Sequence, residues 1–219
     1  EVFKVEELHV TKTGQLINSL GGETVFRLNK KEAQNKLDQL DRKRQNAENF
    51  MRHIKKAVGH LSGLERSDCS EAFFAGRYQR DGYAVEKYSM TGSGRYKIPF
   101  LLFRPLLPSS NALLYLHPDG KTTEAQPGGE IESFVRQGFT VLAPDLPGLG
   151  ELGPGVFKGD AYTFNVGKAP FNIWFAAIQA GKSVVGIRAS DVIRLINFLQ
   201  ANGFANINAM AKGLVAQDL

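Results

Sequence analysis

The sequence predicts an α/β fold: a mainly parallel sheet with helices on both faces, preceded by a long amphipathic helix. Three observations predict it. From Tyr83 onward, short runs of β-branched and aromatic residues alternate with helix-length stretches of three- and four-residue apolar spacing, the pattern of strands joined by crossover helices. Ala112-Leu113-Leu114-Tyr115-Leu116 is apolar without a break, as a strand covered on both faces is. Ahead of them, Leu37, Leu40, Ala47, Met51, Ile54, Val58 and Leu61 recur at three- and four-residue steps and give one long helix an apolar stripe.

Residues 1–70 form the first expected division, an extended lead-in and a long-helix connector. Val2, Val5, Leu8 and Val10 alternate weakly before a loop at Gly21-Gly22. Asn29 is expected to cap the long helix, with Glu32 completing a capping box, and Gly63 followed by residues 65–70 to end it. The charged face, which includes Lys30, Lys31, Arg42, Lys43 and Arg44, reads as a solvated surface.

Residues 71–219 form the second division. Strands are expected at 83–90, 96–103 and 111–116, parted by Thr91-Gly92-Ser93-Gly94 and by residues 105–110. A helix over 129–137 closes at Gly138, and a fourth strand covers 139–143. A long loop over 144–170 leads to a helical stretch from Asn172 that breaks near Gly181. That stretch carries Val184, Val192, Leu195 and Leu199 on one stripe and stops at Asn202-Gly203. A fifth strand over 205–210 then runs into Ala211-Lys212-Gly213.

Composition removes several classes of function. Hydrophobic residues are 42% and charged residues 22%, and no run approaches the ~18 consecutive apolar residues of a membrane span. The formal charge of +5 is spread along the chain, with Arg42-Lys43-Arg44 its densest cluster, so no nucleic-acid-binding face is expected. Cys69, the single cysteine, makes no internal disulfide and reads as a small buried residue rather than a nucleophile. The histidines lack the paired spacing of a metal site, and no cofactor is expected. The chain opens at Glu1 without a methionine or an apolar leader, so a processed protein or a piece of a longer one is expected.

Two nucleotide-like motifs fail on context. Gly148-Leu149-Gly150-Glu151-Leu152-Gly153 follows a strand, but Pro154-Gly155 breaks the helix that a dinucleotide fingerprint must open. Gly181-Lys182-Ser183 resembles a P-loop tail, yet residues 177–180 continue a helix whose amides are already bonded.

What remains are three strand ends, where ligands of such sheets bind. The third strand ends in His117-Pro118-Asp119-Gly120-Lys121, the fourth in Pro144-Asp145-Leu146-Pro147-Gly148-Leu149-Gly150, and the fifth at Ala209-Met210-Ala211-Lys212-Gly213. On these motifs, residues 83–219 resemble the α/β-hydrolase superfamily and, within it, bacterial acetyl xylan esterases. Residues 13–24 with the long helix are similar to the connector before the second module of two-module esterases.

The resemblance implies a nucleophile elbow, G-x-S-x-G, at the fifth strand. Here Ala209 and Gly213 flank Ala211, so the nucleophile position is vacant, and an alanine methyl is neither deprotonated nor acylated. All four histidines, His9, His53, His60 and His117, precede the elbow, whereas the family order is nucleophile, acid, histidine. Asp218 alone follows as an acid, too close to serve. The backbone amides of Asp119 and Lys212 occupy the positions of an oxyanion hole, with Pro118 offering none. His117 is expected to fix its loop and Asp145 to order the turn at 147–150. Tyr162, Phe171, Trp174 and Phe175 are candidates for a sugar-facing cleft and, more simply, for core.

The resemblance therefore implies the amino-terminal half of a carboxylic ester hydrolase module, a pseudoenzyme as the chain stands, in a secreted or periplasmic protein acting on acylated polysaccharide. The alternative is a non-catalytic carbohydrate-binding or scaffolding module. The fifth strand is expected at an edge completed by a missing carboxyl-terminal half-domain, by another module or by another copy of the chain.

Overall fold

The computed structural model describes residues 2–66, 71–107, 109–153, 165–166 and 169–219. The chain divides into two compact units, Glu1–Lys56 and Ala57–Leu219, a break inside a helix rather than at residue 70. Cys69 and Tyr162, and the side chain of Phe171, lie outside the described residues.

The first unit is helical from near its start. A 3-10 turn at Val5–Leu8 and a short helix α1, Leu16–Leu20, replace the expected extended lead-in. The hydroxyls of Thr13 and Ser19, 2.5 Å apart, close the turn between them, a local side-chain bond that competes with extended backbone. Helix α2 spans Val25–Arg44 and begins earlier than the Asn29 reading because Thr24 is the cap: its hydroxyl accepts the Arg27 N–H at 3.1 Å. The expected single helix is also two. Asn46 accepts the Asn49 N–H at 3.0 Å and starts helix α3, Ala47–Ser62, after which Gly63 turns at φ +68°.

The second unit is built on six strands: β1 Ala72–Arg80, β2 Tyr83–Thr91, β3 Lys97–Pro105, β4 Asn111–Leu116, β5 Thr140–Pro144 and β8 Asn206–Ala211; β6 Asn165–Val166 and β7 Ala169–Pro170 form a separate small ribbon. Helix α4, Glu130–Arg136, lies between β4 and β5; helices α5, Phe171–Gln179, and α6, Val184–Ala201, precede β8. The sheet order is β1-β2-β3-β5-β4-β8.

The expectation of a mainly parallel sheet needs correction. Only β5 with β4 and β4 with β8 pair in parallel among the described residues, whereas β1, β2, β3 and β5 pair antiparallel in turn. The physical reason is the connections: Asp81-Gly82 and the short link after Thr91 can join only antiparallel neighbours, and a crossover helix is what permits a parallel one. Strand β1 escapes the sequence pattern because a bulge between Phe74 and Gly76 breaks the two-residue alternation.

Both faces of the sheet are covered. Leu102, Leu114, Leu116 and Leu142 point to one side, where Val192, Leu195, Phe198 and Leu199 of α6 meet them. Leu113, Tyr115, Val141 and Phe103 point to the other, against Ile131 and Val135 of α4. Each such side chain contributes roughly 1.5–3 kcal/mol on burial. Strand β8 is the outer strand, bonded to β4 on one side. Among the described residues no helix is long and apolar enough to cross a membrane.

Buried charge ties α6 to its surroundings. Asp191 accepts the Ser93 N–H at 2.9 Å and the Tyr96 hydroxyl, which clamps the β2–β3 link to the helix, and burial pushes both the Asp191 and Tyr96 groups upward. One turn earlier, Arg188 donates to the Pro147 carbonyl at 2.8 Å and lies 3.7 Å from Asp218 in the 3-10 turn Gly213–Asp218. At that distance the pair attracts without a hydrogen bond, and the carboxylate of Asp218 has no hydrogen-bond partner among the described residues.

Burial therefore pushes Asp218 up to about 6, with the Arg188 charge offsetting only part of it. The folded value exceeds the unfolded one, so this stabilisation is full below about pH 4 and is lost as pH rises through 6. We expect urea unfolding to show the parent chain losing about 2–3 kcal/mol relative to Asp218→Asn between pH 4 and 6.5. A difference that stays flat over that range would refute the assignment.

Candidate functional site

The expected third, fourth and fifth strands are β4, β5 and β8, and their carboxyl ends lie side by side as the sequence reading required. The tip after β4 turns tightly: the Gly120 N–H donates to the His117 carbonyl at 3.1 Å, with Gly120 at φ +95°. The His117 ring stacks on Tyr115 at 6.4 Å and 14°, and its Nδ1 accepts the Asp119 N–H at 3.1 Å. His117 thus fixes its loop by a hydrogen bond.

The centre of the arrangement is Asp145, which is 1% exposed. One carboxylate oxygen accepts the Lys121 N–H at 2.6 Å; the other accepts the Lys121 ammonium at 2.6 Å and the Glu151 N–H at 2.9 Å. The Glu151 carboxylate reaches the same ammonium from the solvent side. This geometry requires glycine at position 150, which sits at φ +50° and where a Cβ would lie 2.2 Å from the Asp145 carboxylate. Asp145 closes the turn at 147–150 through the Glu151 amide and ties it to the Lys121 loop.

At the end of β8 the expected elbow is altered. Ala211 is the last residue of the strand, paired with Leu116, and Lys212 continues extended at φ −108° and ψ 140°. The positive φ falls at Gly213, +58°, instead of at Ala211, where the sequence reading expected an elbow. The reason is steric: a residue with a Cβ takes a left-handed turn at a cost that glycine avoids. The tip remains close to the β4 loop, since a Cβ on Gly213 would meet Pro118 at 3.8 Å.

The two amides expected at an oxyanion hole both have acceptors within the fold. The Lys212 N–H donates to the Leu116 carbonyl at 3.1 Å, and the Asp119 N–H is the donor to His117. Each amide has its acceptor inside the fold, so neither points at a common empty position, and an oxyanion hole requires that convergence.

Sequence reading missed the role of Lys212's side chain. Its ammonium lies 2.5 Å from Glu130 Oε2, which also accepts the Tyr115 hydroxyl at 2.5 Å, and it sits 5.8 Å from the centre of the Tyr115 ring. These bonds hold Glu130 below the usual carboxylate range and raise Lys212, while burial and Glu130 push Tyr115 up to about 12. The group is a closed charge cluster that locks β4, α4 and the end of β8 together. Its members are far apart in sequence, and only the partner at the correct distance reveals the role.

Of the aromatic candidates, Trp174 packs beside Ala177 and Val184 with its ring 6.0 Å from Phe175, and Phe175 is exposed. Among the described residues no group of three or more His, Cys, Asp or Glu side chains is placed to hold a metal ion.

No family model and no curated protein matches the chain. Solved structures do. A Bacteroides fragilis protein described as an acetyl xylan esterase superposes with a TM-score of 0.63 at 16% identity, over 77% of this chain and 48% of that one. Acetyl xylan esterase 1 of a Thermoanaerobacterium species gives 0.51 at 16% identity, over 78% and 54%. The chain spans about half the length of these structures. Its sheet and flanking helices share the fold of these two structures over that span.

The Lys121–Asp145 pair yields a stability prediction. Lys121→Met leaves the Asp145 charge buried without its cation, and we expect urea titration to show a loss of about 3–5 kcal/mol. Lys121→Met with Asp145→Asn should recover part of that loss. Equal loss in the single and double variants would show that the uncompensated charge is not its cause.

Proposed function

We propose that this chain is a module of the carboxylic-ester-hydrolase kind, built like an acetyl xylan esterase and catalytically incompetent as it stands. One observation carries the reading: β8 ends on the methyl group of Ala211 with the next amide already bonded to Leu116. Serine-type ester hydrolysis needs a hydroxyl at that place, a proton acceptor beside it and free amides for the developing oxyanion. The first is replaced by carbon, and both candidate amides hold other acceptors. The histidine at the β4 tip is engaged as well, since the His117 Nδ1 accepts the Asp119 N–H.

In this reading the chain serves a larger assembly whose substrate is an acylated plant polysaccharide, a polymer met outside the cytoplasm. A further strand, from another segment or another copy, adds to the β8 edge, where Ile207 and Met210 are half-buried. The alternative of a sugar-binding module finds less support. A cleft of about 520 Å³ beside Tyr78, Lys87, Lys121 and Glu151 has a suitable size. However, Lys87 and Arg80 lie over the Tyr78 ring at 5.6 and 5.3 Å, so the cations occupy the face on which a sugar would stack.

The test is a chromogenic acetate ester. The parent chain is expected to give no saturable turnover above that of the same chain unfolded, and Ala211→Ser to give none either, since a hydroxyl without a base stays un-ionised. Saturable turnover by the parent chain would overturn the proposal.

A further inference from the structure

Helices α2 and α3 bury no residue. Most helical stability in proteins comes from packing of an amphipathic face, and the 20-residue α2 has its face unburied. Leu37, Met51, Val58 and Leu61 are 53, 53, 59 and 77% exposed. This apolar surface is ordered by a strict repeat. From Ala33 the positions 37, 40, 44, 47, 51, 54, 58 and 61 follow at alternating four- and three-residue steps, which is the seven-residue period of a left-handed coiled coil rather than the 3.6-residue period of a helix lying on a core. Leu37, Arg44, Met51 and Val58 take the first core position of each heptad, and Leu40, Ala47, Ile54 and Leu61 the second. Only Gln45 and Asn46 separate the two helices, and the repeat passes through them in phase.

The charges beside this seam select the occupant. In a parallel two-stranded coil, the residue before each first core position faces the residue after the next second core position of the other strand. Lys36 would face Asp41 of a second copy, and Lys43 would face Glu48 of a second copy. Both pairs are of opposite sign. In the antiparallel arrangement lysines would face lysines and acids would face acids. The exposed pairs these groups make within one chain, Lys36 with Glu32 at 3.3 Å and Glu48 with Arg52 at 3.0 Å, are of the kind worth well under 1 kcal/mol and do not prevent the exchange. Arg44, the one charged residue in the core series, falls where α2 stops, and a lone charged core residue of this type favours two strands in a single register.

We infer that α2 and α3 form a parallel, in-register coiled-coil dimer with a second copy of this chain. The inference is independent of the esterase reading, since it uses no residue of the sheet.

Sedimentation equilibrium of the full chain, up to about 100 µM because dimer stability depends on concentration, should give twice the chain mass. Leu40→Glu should return it to a monomer with the Trp174 emission of the second unit unchanged. Lys43→Glu should weaken the dimer by about fivefold or more, and Lys43→Glu with Glu48→Lys should restore it to within about twofold of the parent. Leu40→Cys in a Cys69→Ser background should oxidise to a disulfide-linked dimer only if the strands are parallel and in register. A parent chain that stays monomeric overturns the inference. So does a dimer indifferent to Leu40→Glu, as pairing at the β8 edge would produce, or a failure of the double charge reversal to restore association.

Discussion

A single buried ion pair holds the carboxyl ends of the sheet in place. Lys121 and Asp145 come from loops that follow different strands, and each group alone would be costly where it sits. Together with the Lys121 and Glu151 amides, they convert two loops into one rigid tip. The glycines at 120 and 150 are consequences of that pair, because no side chain fits beside the carboxylate. The end of the turn at 147–150 is bound to it through the Glu151 amide.

The same tip satisfies its polar groups from within the fold. A catalytic site leaves donors and acceptors unsatisfied until substrate arrives, and its strained residues are held against their preference. At this tip the polar groups are paired with one another. Asp145 has three donors, Glu130 holds both Lys212 and Tyr115, and the Lys212 amide closes on Leu116. Even the backbone is relaxed, with the left-handed residue placed at Gly213 where it costs little.

The two units are stabilised by different means. In the second, strands and helices bury one another, and the residual charges at Asp191, Arg188 and Asp218 are enclosed by that packing. In the first, α2 and the start of α3 are held by caps and exposed charge pairs, which contribute a fraction of a kcal/mol each, and among the described residues α2 and α3 bury none of their apolar stripe. The heptad period gives that stripe a partner of the same shape and sequence.

Much of this was legible in the residues alone. Apolar runs located β2, β3, β4, β5 and β8, apolar spacing located α4 and α6, and the absence of a hydroxyl at 211 is read from the residue itself. These are one-dimensional properties: period, composition and chain order. Tertiary structure alone decided the rest. Strand β1 hid behind a bulge, the cap of α2 depended on which of Thr24 and Asn29 reached an amide, and sheet direction followed from connections whose path only the fold shows. The roles of Lys121, Lys212 and Asp218 rest on partners 24, 82 and 30 residues away in the chain, at distances that only packing sets. An ion pair has a sign and a distance; the sequence by itself carries the sign, and folding supplies the distance.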